Sequence, residues 1–347
     1  MTAPLLGDDA SFAAETSGAW LKPRRYRESK PVSLGWTRVR RAAQRQVAVF
    51  AIVLLLAAGF ALLYGISGGA SLLQALPISL AIGAAVALAI STASELGRNT
   101  ITSVSGLKKH CGYLVLGAAP ELTPEALREL PPEQRSPLGC LAFQPGSAFS
   151  TSFRHLQGAI ANDRLVAVIG SIPNEGASTT ALGAAVSATQ QGRRVLLVDC
   201  DLRRRSLTRS LFGDVEAGVL EAADRPNNWR SFVRQDDETN LHVLPAAKQK
   251  NPWTTLVGVA GLPLLLDEMR NAYDLVVLDC PPALGSADGA MLARLADGCI
   301  VVTAWDDTPM GALRESMRAL RARPEAATGV YVNRVPPGYR FGRLRPE

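Results

Sequence analysis

Six short apolar runs constrain the fold of this 347-residue chain more than any other feature of the sequence. Segments with helical patterns lie between them, such as the small-residue stretch 178–191 and residues 311–321. Uninterrupted apolar strands that alternate with helices are typical of a parallel sheet covered on both faces. The sequence therefore predicts an α/β fold with a doubly wound, mostly parallel sheet, whose strands are at residues 165–169, 195–198, 241–244, 275–278, 300–303 and 329–332.

The loop after the first of these strands begins at Ser171 and reads SIPNEGASTT. A phosphate-binding loop has the pattern GxxxxGK[ST], in which backbone N–H groups and a helix N-terminus bind the phosphates. Gly176 and Ser178 fit this pattern, whereas Ser171 replaces the first glycine and Ala177 stands at the lysine position. On the local sequence alone, an ordinary strand-to-helix loop capped by Ser178 is the alternative interpretation.

Acidic residues follow two more of the predicted strands. Asp199 and Asp201 follow the second strand of the predicted sheet, and Asp279 follows the fourth. Because ligands of such sheets bind at the carboxyl ends of the strands, we expect these carboxylates to face the loop after the first strand. Carboxylates in this place suit magnesium and an attacking water or hydroxyl. Each of them taken singly is also consistent with a helix cap or a salt bridge.

The segments VLLVDCDLRR and YDLVVLDCPP, together with SIPNEGASTT, resemble the Walker A′, Walker B and degenerate Walker A elements of bacterial tyrosine kinases. Those kinases are cytoplasmic partners of polysaccharide co-polymerases and belong to the MinD/ParA group of P-loop proteins. The resemblance spans about residues 112–335 and includes NLHVLPA and YVNRV. It implies a P-loop NTPase-like fold and a polysaccharide co-polymerase or export protein as partner.

The same resemblance implies a site for ATP and Mg²⁺. The residues that would bind the nucleotide are Gly176, Ala177, Ser178, Thr179 and Asn333, the last of them beside the adenine. The metal ligands would be Ser178, Asp199 and Asp279. In an active kinase the catalytic residues would be Asp199, Asp201 and Asp279.

The loop departs from the family pattern in its charge. Ala177 replaces the phosphate-binding lysine, and the segment between residues 164 and 193 contains Glu175 but no Lys or Arg. A hydrogen bond to a charged group contributes about 1.5–3 kcal/mol, so its loss should weaken nucleotide binding by about tenfold to over a hundredfold. The arginines at 203–205 could supply a substitute charge, or they could form a solvated basic turn.

Two further departures concern phosphorylation and assembly. The tyrosine-rich tail of these kinases is reduced here to Tyr339, since Tyr331 belongs to a predicted strand. The E-x-x-R-x-x-R element of the ring interface reads TSFRHLQ, which keeps Arg154 but has Thr151 and Gln157 at the other two positions. This argues against a ring and leaves a homo-oligomer as an open alternative.

Residues 46–94 contain no Asp, Glu, Lys, Arg or His. Two apolar segments, 47–66 and 72–93, are each long enough to cross a bilayer, which takes about 20 helical residues. Both flanks are basic, so the positive-inside rule predicts a multi-pass protein of the bacterial inner membrane with both termini cytoplasmic. The alternative is a buried helical hairpin within a soluble domain.

The net charge of +6 is concentrated at the N-terminus, because residues 1–45 carry nine Lys or Arg and four Asp or Glu. A short basic tail beside an apolar stretch is not a nucleic-acid-binding composition and instead favours the membrane as a partner. The predicted organisation is a basic tail (1–45), a transmembrane hairpin (46–94), a connector (95–160) with a strand at 112–117 and a helix at 148–161, a P-loop kinase-like domain (161–335) and a tail (336–347).

These features favour a membrane-anchored, kinase-like regulatory subunit of extracellular or capsular polysaccharide synthesis and export, in which nucleotide binding is weak or lost. One alternative is an active ATP-dependent protein tyrosine autokinase, in which an arginine replaces the missing lysine. Another is a positioning ATPase like MinD or ParA, although Ile172 stands where such proteins have a signature lysine. Enzymatic activity is thus left open at this point, with the balance against it.

Overall fold

The structure is a computed structural model that describes residues 51–53, 55–60, 62–63, 77–87, 89, 99–104, 107, 113–251, 254–320 and 327–337. The chain forms two compact units, and each is described by itself. One consists of residues 30–99, and the other of residues 1–29 together with 100–347.

In the unit formed by residues 30–99, the described positions between 51 and 63 and between 77 and 89 are helical. Among the described residues, no helix is both long enough and apolar enough to cross a membrane. A spanning helix takes about 20 apolar residues. The predicted location, a multi-pass protein of the inner membrane with both termini cytoplasmic, is wrong on this finding. The remaining positions of the predicted spans 47–66 and 72–93, like the basic tail at 1–45, lie outside the described residues.

The larger unit is built on one sheet of eight strands, taken over its described residues. The order across the sheet is β1-β8-β7-β2-β6-β3-β5-β4, and every pairing is parallel except that of β4 with β5. The strands are β1 (Leu114–Pro120), β2 (Leu165–Gly170), β3 (Val195–Asp199), β4 (Arg234–Gln235), β5 (His242–Leu244), β6 (Leu275–Cys280), β7 (Gly298–Ala304) and β8 (Ala327–Val335). The predicted mostly parallel α/β sheet is confirmed.

Helices cover both faces of this sheet. They are α1 (Pro124–Leu127), α2 (Pro137–Phe143), α3 (Ala148–Gln157), α4 (Ala177–Gln190), α5 (Ser206–Phe212), α6 (Val219–Asp224), α7 (Leu262–Ala272), α8 (Ala287–Leu295) and α9 (Met310–Leu320). Short 3-10 segments occupy Pro132–Gln134 and Pro226–Phe232. The α2–α5 helices contribute to one apolar core and the α6–α9 helices to the other.

The two cores explain why the strands read as uninterrupted apolar runs. Successive side chains of a strand point to opposite faces of its sheet. Val166 and Val168 of β2 therefore pack into the core on the α4 side, whereas Leu165, Ala167 and Ile169 pack into the other. With both faces covered, every residue of β2 is buried and none needs to be polar.

The sheet extends beyond the part that alternates regularly in sequence. Strand β1, predicted at 112–117, is an edge strand that pairs in parallel with β8. The helices α2 and α3 precede β2 and pack on α4. The segment predicted as a connector at 95–160 thus contributes a strand and a helical layer to the same unit.

Gly289 allows α8 to approach the turn that follows β6. A Cβ atom at this position would lie 2.2 Å from the carbonyl oxygen of Pro281 and 3.0 Å from Cδ1 of Ile169. The first distance is far below van der Waals contact, and a backbone carbonyl cannot move aside as a side chain can. By contrast, Gly311 near the start of α9 has open space around its Cα.

We predict that Gly289→Ala lowers the free energy of unfolding by about 2 kcal/mol or more, because overpacking a backbone contact forces α8 or the turn to shift. The matched control is Gly311→Ala, which should be neutral or raise stability by up to about 1 kcal/mol through helix propensity. Urea unfolding of the wild type and the two variants measures both effects. Equal stability changes in the two variants would contradict the packing argument.

Candidate functional site

The loop between β2 and α4 has a backbone conformation that depends on glycine at one position. Gly176 has φ = 90°, and α4 begins directly after it at Ala177. A Cβ atom on Gly176 would lie 1.9 Å from the side-chain nitrogen of Asn333. Positive φ and the close approach of Asn333 together require glycine here. Asn174, two residues earlier, is also left-handed at φ = 70°.

Glu175 is buried beneath this loop and fixes its shape. One carboxylate oxygen accepts a hydrogen bond from the Ile172 N–H at 2.9 Å, and the other accepts one from the Thr308 hydroxyl. Burial raises the pKa of Glu175 to about 7, although the bonds from Thr308 and from the Ile172 and Ser171 N–H groups oppose the shift. The loop is therefore tied to the turn between β7 and α9 by a carboxyl group that titrates near neutral pH.

Asn333, at the end of β8, supports the same loop from the side. Its amide nitrogen donates to the backbone carbonyl of Glu175 at 3.1 Å, and its amide oxygen accepts from the Arg334 N–H at 2.9 Å. The side chain is 5% exposed. The structure thus places Asn333 against the loop, with its amide committed to holding the loop backbone.

Asp199 and Asp279 lie side by side, since they are register partners on the neighbouring strands β3 and β6. Asp199 is well supplied with donors. One oxygen accepts from the N–H and hydroxyl of Thr208 at 2.9 and 2.7 Å, and the other accepts from the Asp201 N–H at 3.1 Å. Burial still raises the pKa of Asp199 to about 6, and the negative charge of Asp201 adds to the shift.

Asp279 is the less satisfied member of the pair. Its Oδ2 atom is buried and has no hydrogen-bond partner. Burial and the charge of Asp199 hold the pKa of Asp279 well above its usual range, while a hydrogen bond from Ser178 opposes the shift. A buried carboxylate oxygen without a donor, beside a second carboxylate and a serine hydroxyl, suits a hard cation such as Mg²⁺. Among the residues described, no group of three or more His, Cys, Asp or Glu side chains is arranged to hold a metal.

Asp201 points into the turn after β3, where it accepts from the N–H groups of Arg203 and Arg204 at 3.2 and 3.0 Å. The structure therefore brings Asp201 to the same edge of the sheet as Asp199 and gives it a turn-stabilising role. Ser178 lies across the cleft from this turn, and its hydroxyl is 2.8 Å from that of Ser206.

The three consecutive arginines of this turn point to different places. Arg204 donates to the side-chain oxygen of Asn174 in the loop at 3.5 Å. Arg205, by contrast, is buried and pairs with Asp214 at 3.1 Å. Arg203 is exposed and lines a separate cavity that also includes Lys248.

A further arginine reaches the loop from β8. Arg334 donates to the carbonyl oxygen of Asn174 at 2.7 Å. Sequence reasoning missed this residue, although a basic residue directly after the strand-end Asn333 was a signal that could have found it. Thr208 and Thr308, which hold Asp199 and Glu175, were missed as well, because nothing in a single threonine marks it as a partner of a buried carboxylate.

The loop, the turn after β3 and the end of β8 enclose a cleft of about 650 Å³. It brings together most of the predicted nucleotide and metal positions and a short apolar edge from α2. Among the predicted residues, those that line it are Gly176, Ala177, Ser178, Thr179 and Asp201. Asp199, Asp279 and Asn333 lie behind this lining as buried supports.

The residues at the degenerate ring-interface element, and Tyr331, form hydrogen bonds within the chain. Arg154 donates to the Thr151 hydroxyl at 2.7 Å, and Gln157 donates to the Ala184 carbonyl at 2.7 Å. Tyr331 is buried and donates to the Ser152 hydroxyl at 3.0 Å. Tyr339 lies outside the described residues.

Glu175 gives the site a testable dependence on pH. Its pKa is about 7 in the fold and near 4.5 ordinarily, so the fold favours the protonated form. This contribution to stability is complete below about pH 4.5 and is lost as the pH rises through about 7. Between these pH limits the unfolding free energy of the wild type should fall by an amount on the order of 3 kcal/mol because of Glu175. We predict that Glu175→Gln, whose neutral amide mimics the protonated carboxyl group, does not show this fall.

Urea unfolding at several pH values from 4.5 to 8 measures this effect. Glu315→Gln, on the exposed face of α9, is the matched control and should keep the wild-type slope. An unchanged slope in Glu175→Gln would show that this carboxyl group does not carry the dependence.

The chain is similar to several known proteins. Residues 166–320 match the family model described as an AAA domain. The chain is 30% identical over 168 residues to the tyrosine-protein kinase YwqD of Bacillus subtilis, which covers 48% of this chain and 71% of YwqD. It is 28% identical over 200 residues to the succinoglycan biosynthesis transport protein ExoP of Rhizobium meliloti, covering 55% of this chain and 25% of ExoP.

A longer match, 25% identical over 284 residues, joins the chain to the putative tyrosine-protein kinase EpsB of Ralstonia nicotianae, covering 76% of the chain and 38% of EpsB. The chain thus spans only about a quarter to two fifths of ExoP and EpsB. Among solved structures, the kinase domain of the Escherichia coli tyrosine kinase ETK superposes with a TM-score of 0.60 at 20% identity. The BceF tyrosine kinase domain does so with 0.58 at 22% identity.

Those two alignments cover 71% and 68% of this chain and the whole of each kinase domain, and at such identities they show the fold alone. From its sheet, its loop and the match to YwqD, the chain belongs to the family of bacterial tyrosine kinases.

Proposed function

We propose that this chain is a kinase-like regulatory subunit of extracellular or capsular polysaccharide synthesis and export, in which nucleotide binding is weak and phosphoryl transfer is lost. The observation that carries the proposal is Ala177. The cleft around it is fully formed, yet the first turn of α4 lacks the cation that this family places on the phosphates. The fold of a kinase is retained while its central charge is missing.

In this proposal the remaining groups of the cleft bind a nucleotide by its phosphates. The N–H groups at the start of α4 and in the loop before it would bind the phosphate. Ser178, Asp199 and Asp279 would hold Mg²⁺, and the orphaned oxygen of Asp279 supports that assignment. When bound, Mg²⁺ would neutralise phosphate charge.

The electrostatic balance of the site supports weak binding. Glu175, Asp199, Asp201 and Asp279 are all buried around the cleft, and none of them is matched by a cation from the loop itself. A triphosphate brings further negative charge to this place. A missing hydrogen bond from a charged group corresponds to a loss of about tenfold to over a hundredfold in affinity, and phosphoryl transfer suffers at least as much.

The polysaccharide system is proposed from the relatives. ExoP is named as a succinoglycan biosynthesis transport protein, YwqD as a tyrosine-protein kinase and EpsB as a putative tyrosine-protein kinase. We propose a polysaccharide co-polymerase or export protein as the partner of this chain, with self-association as a second mode of assembly. The cleft would then act as a docking or sensing element that reports on nucleotide.

An active tyrosine autokinase is the second candidate. It is favoured by Arg204 and Arg334, whose guanidinium groups both reach the loop at Asn174. In that case Asp199, Asp201 and Asp279 would be the catalytic residues. A positioning ATPase of the MinD type has less support, because Ile172 gives its N–H to Glu175 and offers no lysine.

We predict that Ala177→Lys raises the affinity of the chain for Mg²⁺–ADP by about tenfold to over a hundredfold, because it restores a charged hydrogen-bond donor at the phosphates. Isothermal titration of ADP in the presence of Mg²⁺ measures the change. Ala177→Met is the matched control, since it adds length without charge and should bind as the wild type does.

Two outcomes would contradict this account. If the wild type binds ADP as tightly as Ala177→Lys does, other residues fully replace the missing charge. A gain in Ala177→Met equal to that in Ala177→Lys would show that packing rather than charge limits binding.

We further predict that Asp199→Asn, introduced into the Ala177→Lys chain, lowers the dependence of ADP binding on Mg²⁺. The physical reason is that the variant removes one of the two neighbouring carboxylates proposed to hold the ion. Titrations with and without Mg²⁺ provide the measurement. An undiminished effect of Mg²⁺ in the double variant would refute the assignment of Asp199 as a metal ligand.

A further inference from the structure

Two guanidinium groups from distant parts of the chain meet at one residue of the loop. Arg334, at the end of β8, donates to the backbone oxygen of Asn174 at 2.7 Å. Arg204, in the turn after β3, donates to the side-chain oxygen of the same asparagine at 3.5 Å. Both arginines line the cleft that contains Ala177. The rim of the loop is therefore positively charged, although the loop itself is not.

Neither arginine is strongly neutralised by a carboxylate within the described residues. The nearest partner of Arg334 is Asp307, at 3.8 Å, and both side chains of that pair are more than 40% exposed. A pair so long and so exposed contributes little binding energy. The hydrogen bond of Arg204 to Asn174 is a long one to a neutral amide. Both cations are thus available to an anion that enters the cleft.

The backbone at the meeting point is held in an uncommon conformation. Asn174 and Arg334 have φ values of 70° and 58°, in the left-handed region that side chains other than glycine seldom adopt. Asn333 stabilises the turn at Arg334, since its side-chain oxygen accepts from the Arg334 N–H. Residues held in this region persist only where the surroundings over-determine them, and they cluster at ligand sites. The turn aims Arg334 back over the loop.

We propose that Arg334, together with Arg204, forms a two-arginine clamp that binds the terminal phosphates of a nucleoside di- or triphosphate in place of the missing lysine. The proposal rests on the cleft being the nucleotide site, as argued for the proposed function, and it names the residues that carry the residual binding. Guanidinium groups suit this task, because they are permanently charged and present paired donors that match phosphate oxygens. On binding, each exchanges a neutral amide oxygen of Asn174 for a charged phosphate oxygen.

The other arginines of the turn are not placed for this role. Arg205 is committed to Asp214, and both Arg203 and Arg205 line the separate cavity beside Lys248. The arginines of the turn after β3 therefore point into two different cavities, and of the three only Arg204 lines the cleft beside the loop after β2. This separation makes the clamp testable by single substitutions.

The experiment is titration of the chain with ADP and with pyrophosphate, each in the presence of Mg²⁺. Arg334→Met and Arg204→Met should each weaken ADP binding by about tenfold or more, because each removes a charged hydrogen bond to phosphate. Arg314→Met, on the exposed face of α9, is the matched control and should bind as the wild type does. Pyrophosphate carries the charges without the base, so it should lose affinity by a similar factor.

Rescue separates charge from structure. Adding Ala177→Lys to Arg334→Met should recover most of the lost affinity, because the lysine supplies a cation to the same phosphates. The clamp is overturned if Arg334→Met binds ADP as tightly as the wild type does. It is also overturned if the variant loses affinity for ADP but not for pyrophosphate. If Ala177→Lys gives no rescue, the affinity lost in Arg334→Met comes from damage to the loop rather than from the missing charge. The clamp is then overturned as well.

The clamp and the proposed function fail separately. If the wild type binds no ADP at millimolar concentration, the clamp is overturned, whereas a docking role for the domain is not affected. Wild type that transfers phosphate from ATP to tyrosine overturns the regulatory function, while the clamp still stands or falls on the arginine variants.

Discussion

The site depends on the hydrogen bonds of one buried residue, Glu175. Its carboxyl group binds the Ile172 N–H on one side and the Thr308 hydroxyl on the other, and its backbone carbonyl binds Asn333. These three contacts join the loop after β2 to the β7–α9 turn and to the end of β8. Gly176, which has no Cβ, leaves room beside the loop for the Asn333 side chain. These contacts hold the loop in one conformation.

The same frame sets the electrostatics of the cleft. Four carboxyl groups are buried near the start of α4, and two of them, Asp199 and Asp279, are neighbours across β3 and β6. Burial raises the pKa of both, so their mutual repulsion is relieved either by a proton or by a cation. An active kinase would supply both Mg²⁺ and a lysine here. This chain retains the carboxylates and lacks the lysine, and so we infer a fold kept for docking and sensing.

The strands and the position of the site could be predicted from sequence because parallel strands buried on both faces read as uninterrupted apolar runs. Polar residues at their carboxyl ends then had to meet at one edge of the sheet, as Ser178, Asp199 and Asp279 do. The edge strand β1 was predicted as a strand but not as a part of this sheet. Its partner β8 lies more than 200 residues away in sequence, and no local pattern encodes such a pairing.

The contacts that position the charges could not be predicted for the same reason. Arg334 reaches Asn174 across 160 residues and Thr308 reaches Glu175 across 133, so their roles exist only in the folded chain. Arg204 was among the residues considered, but its two neighbours are equally basic and only the geometry separates them. The predicted membrane location is wrong on a separate finding, which is that no helix among the described residues is long and apolar enough to cross a membrane.

Phosphotyrosine formation tests the central claim most directly. The purified chain is incubated with ATP and Mg²⁺, and phosphotyrosine is measured by mass spectrometry, with Asp199→Asn as the blank. The account predicts that the wild type is indistinguishable from Asp199→Asn. Tyrosine phosphorylation in the wild type that Asp199→Asn abolishes would contradict it and would identify the chain as an active kinase.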